Sequence, residues 1–466
     1  MNEVWIIDAA RSPRGLGHAE KGSLAGIHPQ RLLSQVLSAL ENRNQLITAN
    51  IEHVIIGCGN PAGKQRGDIA RMAALDSGWL HSSGTTLDHF CGSSLVATMF
   101  ATNSIASGMH DLVVAGGVEM MSIPEGPNMA TDQHNLHLRK KHPMTSVGIS
   151  ADVIATEEGF SRRDVDAFAA ASQQRASQAI KNGYFDNSLI SINHDDGSLA
   201  LAKDEYPRSG TTVEKLANLQ PVFGQFMNYP MDDTHSFGEV ARMKWPDLEI
   251  DHVHHAGNAS GIVDGAAGIV LASPAYAQKY NLKPRAKIVA CATAAGSPEY
   301  NLNEPVPSAR KALDNAGLTV DDIDLFEVNE AFAVVPLRFM KLMGVSHDKL
   351  NVNGGKALID YPEMNASLVD TKIHYHKNIN IGLAVAIKNG LMVPSIPSCE
   401  EKNFLGFCRS INQMASKASE NKLSIDEIEG STFSITNFGV IGISFGTPII
   451  KQPNTGILVI GNIKKQ

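Results

Sequence analysis

Apolar and polar positions follow two rhythms along this chain, and the rhythm changes at glycines and prolines. Val4-Trp5-Ile6-Ile7 within Glu3–Ala9 predicts a strand, which runs into the loop Arg11-Ser12-Pro13-Arg14-Gly15. From Pro29 onward Leu32, Leu33, Val36, Leu37 and Leu40 recur at helical spacing. Ile51–Gly57 predicts a second strand and Asp111–Ala115 a third, while the apolar stretch after Cys91 predicts a helix closing at Gly108. This alternation predicts an α/β fold, a layered unit around a mainly parallel sheet.

A weaker copy of that layout begins near Pro284. Ala286–Cys291 predicts a strand, Pro307–Ala316 a helix with Gly317 just past its end, and Ile323–Val328 the next strand. Asn353-Gly354-Gly355 falls where Cys91-Gly92-Ser93 falls in the first copy, an internal repeat in order of elements. Between the copies, residues 122–250 form a long, less regular insertion. Within it Ser161-Arg162-Arg163-Asp164 resembles a capping box ahead of a helix that turns Val165, Phe168, Ala169, Ala176 and Ile180 inward and ends near Gly183. Residues 357–396 and 430–462 read as strand-rich, and 402–421 as a helix with Phe404, Phe407, Ile411, Met414 and Ala418 inward.

Composition narrows the function. A chain of 466 residues, 43% hydrophobic and 19% charged, has room for two or three domains. A net charge of −8 argues against nucleic acid as the main partner. No apolar run approaches the ~18 residues of a membrane span, and the first residues read as a strand instead of a signal peptide. Cysteines 58, 91, 291, 399 and 408 are widely spaced with no CxxC, which suits free thiols in a reducing, cytoplasmic setting.

The candidate chemistry centres on Cys91 in Asp88-His89-Phe90-Cys91-Gly92-Ser93-Ser94. A cysteine beside glycine is most often a small buried hydrophobe. Here the turn leads directly into a helix, whose free N–H groups lower a thiol's pKa and receive an oxyanion. Nucleophilic acyl transfer needs such a thiolate. His252-Val253-His254-His255 invites a metal reading, but no carboxylate or cysteine lies at ligand spacing, so the cluster reads as structural and no metal is expected.

The chain resembles the thiolases, acetyl-CoA acyltransferases. Phe90-Cys91-Gly92-Ser93, Ala115-Gly116-Gly117-Val118-Glu119-Met120-Met121-Ser122 and Ala256-Gly257-Asn258-Ala259-Ser260-Gly261 match family motifs. Val263-Asp264-Gly265-Ala266-Ala267, Asn329-Glu330-Ala331-Phe332-Ala333 and Asn351-Val352-Asn353-Gly354-Gly355 continue them, in the family's order. The resemblance implies a thiolase N-terminal half over 1–121 and 251–275, a loop domain over 122–250 and an incomplete C-terminal half over 276–355. It implies Cys91 as the nucleophile, Asn329 holding a water, and Arg208, Ser260, Gly261 and Phe332 as substrate-binding residues. It further implies coenzyme A thioesters as substrates, no bound cofactor, and a homo-oligomer for the folded chain. Arg139-Lys140-Lys141-His142 could meet the phosphates of coenzyme A, although a solvated charge run is the favoured reading.

The resemblance then breaks. Thiolases continue from Asn-Gly-Gly into Gly-His-Pro and later a glycine-rich loop with a second cysteine. Here Lys356-Ala357-Leu358-Ile359-Asp360-Tyr361-Pro362 follows, no Gly-His-Pro appears downstream, and Cys399 and Cys408 lack glycine-rich flanks. Residues 356–466 instead resemble the catalytic domain of dihydrolipoyl acyltransferases. Tyr361-Pro362-Glu363-Met364-Asn365-Ala366-Ser367, Asn389-Gly390-Leu391-Met392-Val393-Pro394 and Phe433-Ser434-Ile435-Thr436-Asn437-Phe438-Gly439 carry that match. Thr436 stands at its hydroxyl position, but the family's His-x-x-x-Asp-Gly motif is not found. Three functions follow in order of expectation. They are an impaired thiolase-type acyltransferase, a non-catalytic acyl-CoA- or partner-binding hybrid, and a dihydrolipoyl acyltransferase. His89, His374 and His376 are the minor candidates for a replacement base. The resemblance also implies a central helix after Gly-His-Pro, and its loss here would leave apolar faces uncovered.

Overall fold

The computed structural model describes residues 2–352, apart from 124–131, 133–134 and 232, and a set of shorter stretches between 366 and 460. Two units result, Met1–Asn353 and Gly354–Gln466. Asn353-Gly354-Gly355 and His376 lie outside the described residues.

The first unit is built on one mixed sheet. In chain order its elements are β1 (Val4–Arg11), α1 (Pro29–Asn44), β2 (His53–Gly57), α2 (Ile69–Asp76), β3 (Ser83–Leu87), α3 (Ser93–Ala106) and β4 (Leu112–Met120). After the insertion come β5 (Val263–Ala272) and β6 (Ala286–Ile288). The sheet order is β3-β2-β4-β5-β1-β6, with the two-residue strand Gly15–Leu16 pairing β5 off this path. β3, β2 and β4 are parallel, whereas β5 runs antiparallel to both β4 and β1, and β6 antiparallel to β1. Against the expected mainly parallel sheet, three of these five pairings are antiparallel. Only the β2–α2–β3–α3–β4 run has the helical crossovers that parallel neighbours require.

Alternation along the strands divides the core into two layers. Val54 and Ile56 face α1 and α2, meeting Leu32, Leu33, Val36, Leu37 and Leu40, while Ile55 and Val113 face Ala97, Ala101 and Ile105 of α3. All five apolar positions predicted for α1 are fully buried. α3 contains no charged residue, and its outer side leaves Leu95 77% and Phe100 48% exposed.

α3 approaches the sheet closely because two positions lack a side chain. A methyl group at Gly57 would overlap the backbone of Ser93 and Ser94, and one at Gly117 would overlap the Ser94 hydroxyl. The head of α3 is thus seated on the carboxyl ends of β2 and β4.

The insertion supplies α4 (Val147–Glu158) and α5 (Arg162–Lys181), the latter with the predicted capping box between Ser161 and Asp164. Both pack with α6 (Pro305–Ala316) and α7 (Val334–Met343) around Phe168, Val306, Val328, Phe332, Val334 and Phe339. The predicted repeat does not form a second sheet among the described residues. Ala286–Ile288 joins the first sheet beside β1, and Ile323–Val328 makes only an isolated bridge, Phe326 to Leu350.

The second unit holds the strand-rich pattern expected. β7 (Ala366–Val369) pairs antiparallel with β8 (Lys372–Tyr375). Then come β9 (Ile381–Leu383), β10 (Val385–Ile387), β11 (Gly390–Met392), β12 (Ser395–Ile396), helix α8 (Phe404–Ser419), β13 (Phe433–Asn437) and β14 (Ile457–Ile460). β10 pairs with β11, and β12-β9-β13-β14 form one sheet in which β9, β13 and β14 are parallel. Met414 and Ala418 of α8 are buried, as their spacing predicts.

Two predictions follow from the first unit. Gly57→Ala forces a methyl group into backbone and should cost about 1–3 kcal/mol. Urea unfolding followed by Trp79 fluorescence checks this, since Trp79 is fully buried in the α1–α2 core. An unchanged midpoint would contradict the close packing of α3. The second prediction concerns Asp204, which accepts paired bonds from Arg11 at 2.7 and 2.9 Å and one from the Arg14 backbone at 2.8 Å. Burial alone would raise its carboxyl, but the Arg11 and Arg14 bonds and charges hold it at about 2, below the ordinary 3.8. Because the folded value is the lower one, this stabilisation is present above about pH 4 and drains away between about pH 4 and 2. Allowing for solvent at the two guanidiniums, it is worth about 1–2 kcal/mol. Asp204→Asn should remove it at neutral pH and flatten the stability curve across that window.

Candidate active site

Cys91 sits in a single helical turn, Phe90–Gly92, directly ahead of α3. Phe90 adopts φ +51°, the left-handed region, which costs a non-glycine residue about 1–2 kcal/mol. Local hydrogen bonds hold the turn. The Asp88 carboxylate accepts from Phe90 N at 2.8 Å, His89 N donates to Ser93 Oγ at 2.8 Å, and that hydroxyl donates to Phe90 O at 2.6 Å. The result is an exposed thiol at the head of a helix. Its pKa is raised, against the expectation of a lowered one. Crowding by protein atoms and the Glu119 carboxylate push it up, and only its own backbone N–H pulls it down.

Glu119 is the residue that the sequence reading missed, although it lies within a quoted motif. Near the end of β4 it accepts from Gly59 N at 2.8 Å, Asn60 N at 3.2 Å and Gln65 Nε2 at 2.7 Å. Gln65 in turn donates to Asn60 O at 2.7 Å and accepts from Met120 N at 2.8 Å. The loop after β2 is thereby fixed beside the Cys91 turn, since Gly59 lies against the Phe90 carbonyl and Glu119. A carboxylate inside an otherwise apolar strand was the available signal.

The other candidate segments reach the same end of the sheet. β4 ends at Met120 opposite Asp264, where β5 begins, so the glycine-rich loop 256–261 enters at the carboxyl ends of β2, β3 and β4. That loop is stitched to Asn329–Ala333. Ser260 N donates to Ala331 O at 2.9 Å, Ala333 N to Asn258 O at 3.0 Å, and Ala259 bridges Phe332. Asn351, also left-handed at φ +51°, accepts from Val328 N at 2.8 Å and donates to Val328 O at 2.9 Å and to Glu330 Oε1 at 2.7 Å. Ser172 of α5 holds the other Glu330 oxygen at 2.6 Å. Asn329 is exposed between these anchored neighbours.

Ser260 is exposed, and Gly261 gives room to the Tyr206 ring, which a methyl group there would overlap. The exposed Arg208 stacks its guanidinium over the same ring at 5.8 Å. Phe332 is 6% exposed and faces the core, its ring edge-on to His254 at 5.4 Å and to Phe223 at 5.4 Å. His89 is exposed two residues before Cys91, His374 lies on β8 opposite Ser367, and Thr436 lies on β13 opposite Val459.

The histidine cluster is tied to carboxylates. Asp152 of α4 accepts from His252 Nδ1 at 2.7 Å, His254 Nδ1 at 2.7 Å, and the backbone N–H groups of Val253 and His254 at 3.1 Å each. Burial would raise the Asp152 carboxyl, but these donors outweigh it and hold it below its ordinary value. Asp166 of α5 accepts from His255 Nε2 and Asn258 Nδ2, each at 2.9 Å. Among the described residues no group of three or more His, Cys, Asp or Glu side chains is placed to hold a metal ion. The basic run 139–142 divides, correcting its reading as wholly solvated. Arg139 is buried and bound through two 2.6 Å hydrogen bonds to Asp132, while Lys140 and Lys141 are exposed.

Comparison with known proteins fits this arrangement. The thiolase N-terminal domain model matches residues 4–226 and the thiolase C-terminal domain model residues 282–384. The model of the 2-oxoacid dehydrogenases acyltransferase catalytic domain matches 354–466, so both families claim 354–384. A steroid 3-ketoacyl-CoA thiolase of Mycobacterium tuberculosis is 34% identical over 78% of this chain and 84% of its own length. A beta-ketoadipyl-CoA thiolase of Pseudomonas aeruginosa is 35% identical over 80% and 92%, and a 3-ketoacyl-CoA thiolase of Hahella chejuensis 36% over 77% and 88%. With an exposed cysteine on a strained turn, the loops that accompany it at one end of the sheet, and relatives matched over most of their length, this chain belongs to the thiolase family.

Proposed function

We propose that this chain is a thiolase-type acyl-CoA acyltransferase that forms a thioester on Cys91 but performs the carbon–carbon step poorly. The observation that carries the reading is the Phe90–Gly92 turn, which delivers an exposed thiol to the head of α3 at the carboxyl ends of three parallel strands. In the first step the Cys91 thiolate attacks the acyl-CoA carbonyl. The bond to coenzyme A sulfur breaks, and coenzyme A leaves as a thiol after taking a proton. The positive end of the α3 dipole favours the oxyanion. Asn329, exposed in an anchored segment, would hold a water that donates to the developing oxyanion in this step. Ser260, Gly261 and Arg208 would line the approach of coenzyme A.

The second step requires a base to remove or return a proton on the acetyl carbon. No Gly-His-Pro and no cysteine in a glycine-rich setting follows Asn351 in these 466 residues. Loss of one oxyanion donor alone costs roughly 10²–10³ in rate, and loss of the base adds to it. The raised Cys91 pKa points the same way, toward slow acylation at neutral pH that speeds up in mild alkali.

We further propose the division into an N-terminal half (1–121 with 251–275), a loop domain (122–250), an incomplete C-terminal half (276–355) and an acyltransferase-like segment (356–466). Coenzyme A thioesters would be the substrates, with no resident cofactor, in a cytoplasmic homo-oligomer. No described helix is long and apolar enough to cross a membrane. Thr436 is the one residue taken from the second family, and no transfer is assigned to it. A non-catalytic acyl-CoA-binding role is the second reading, favoured by the raised thiol.

Intact-protein mass spectrometry after incubation with acetyl-CoA should show one acetyl group per chain, accumulating faster at pH 9 than at pH 7. Cys91→Ser should abolish it with the fold retained. A folded parent protein that takes up no acetyl group, or takes it up equally well without Cys91, would leave only the binding role.

A further inference from the structure

We propose that Asp152 and His254 form a positioning pair for the segment that carries Asn329, an inference that rests on the acyl transfer assigned to Cys91. His254 is fully buried, and its Nδ1 and backbone N–H both meet Asp152 Oδ1, at 2.7 and 3.1 Å. The ring is therefore held in one orientation, with Nδ1 turned to the carboxylate. Its Nε2 has no hydrogen-bond partner among the described residues. The ring stands edge-on to Phe332, three residues past Asn329. Its carbonyl also accepts from Val222 N at 3.1 Å, next to Phe223, whose ring closes on Phe332 from another side.

An orphaned buried nitrogen costs about 1–3 kcal/mol, and any apolar ring would pack against Phe332 without that cost. What the imidazole adds is a fixed bearing. The carboxylate on α4 sets the ring, and the ring sets Phe332. Phe332 shares its backbone stretch with Asn329, Ala331 and Ala333, of which the last two hold the glycine-rich loop. The neighbouring pair, His255 on Asp166, secures Asn258 from the α5 side. The charged and titratable groups around His254 are Asp152, His252, His255 and Asp166, with Arg162 bound to Asp166 at 2.7 Å. None of these is assigned to the chemistry. Their effect on it runs through where the Asn329 segment stands, and a displacement of about 1 Å in such a segment can cost 10²-fold in rate.

Single-turnover acetylation of Cys91 by acetyl-CoA tests this on the full chain, with melting temperature measured alongside. His254→Phe keeps a ring but breaks the link to Asp152, and it removes the orphaned nitrogen. Phe332→Leu breaks the ring contact from the other side. The expected result is a 10- to 100-fold lower saturating rate for both, with the half-saturating acetyl-CoA concentration within about threefold of the parent. In His254→Phe the lost bond to Asp152 and the removed orphan nitrogen offset each other, so its melting temperature should stay within a few degrees of the parent, which separates positioning from mere support of the fold. His254→Asn, which retains a donor for Asp152 but no ring, should behave like Phe332→Leu. Folded variants that acylate at the parent rate, or rates that simply follow melting temperature, would overturn the pair's role while leaving Cys91 as the nucleophile. A parent chain that takes up no acetyl group would overturn the Cys91 reading and this inference with it.

Discussion

The candidate site depends on how closely the first turn of α3 approaches the sheet. Gly57 and Gly117 have no side chains, so the backbone of Ser93 and Ser94 rests on the ends of β2 and β4. Everything chemical is displayed from that contact. Just before α3 the chain passes through the strained Phe90 turn, which leaves the Cys91 thiol exposed. It also brings Glu119 under the turn, where its hydrogen bonds fix the loop after β2. The same carboxylate charge raises the thiol's pKa. Burial is the larger cause of that rise, and the Glu119 charge adds to it.

Buried carboxylates do a second job at a distance from the sheet. Asp152 and Asp166 stand on neighbouring helices of the insertion, and between them they hold three histidines and Asn258. Replacing either carboxylate would leave several buried donors unpaired, the costly case for a polar core. The insertion is therefore bound into the body of the first unit through α4 and α5, which share a core with α6 and α7. Phe332 belongs to that core by burial and to the candidate site by sequence.

Elements whose signal is local were legible. The leucine and valine spacing of α1, the capping box of α5 and the periodicity of α8 each describe a helix that meets its neighbours along one face, and each is present. Cys91 ahead of a helix was legible for the same reason. What failed depended on distant partners. Ile323–Val328 has a strand's composition, but only Phe326 finds a partner, in Leu350. Ala286–Ile288 pairs with β1 because that edge is open, a fact that no local pattern contains. The direction of the Cys91 shift was missed because helix position was weighed without the crowding and the Glu119 charge that the fold brings to it.

The chain carries the thiolase motif around Cys91 and has no Gly-His-Pro after Asn351, and from residue 354 it also matches a different acyltransferase. The most direct test of that division compares two reactions in one preparation. One is exchange of isotopically labelled coenzyme A into acetyl-CoA, which needs only reversible thioester formation. The other is thiolysis of acetoacetyl-CoA, which also needs the carbon–carbon step. The account predicts measurable exchange with thiolysis at least 100-fold slower, in line with the loss of oxyanion donor and base. Thiolysis as fast as exchange would contradict it, and so would the absence of both from the folded protein.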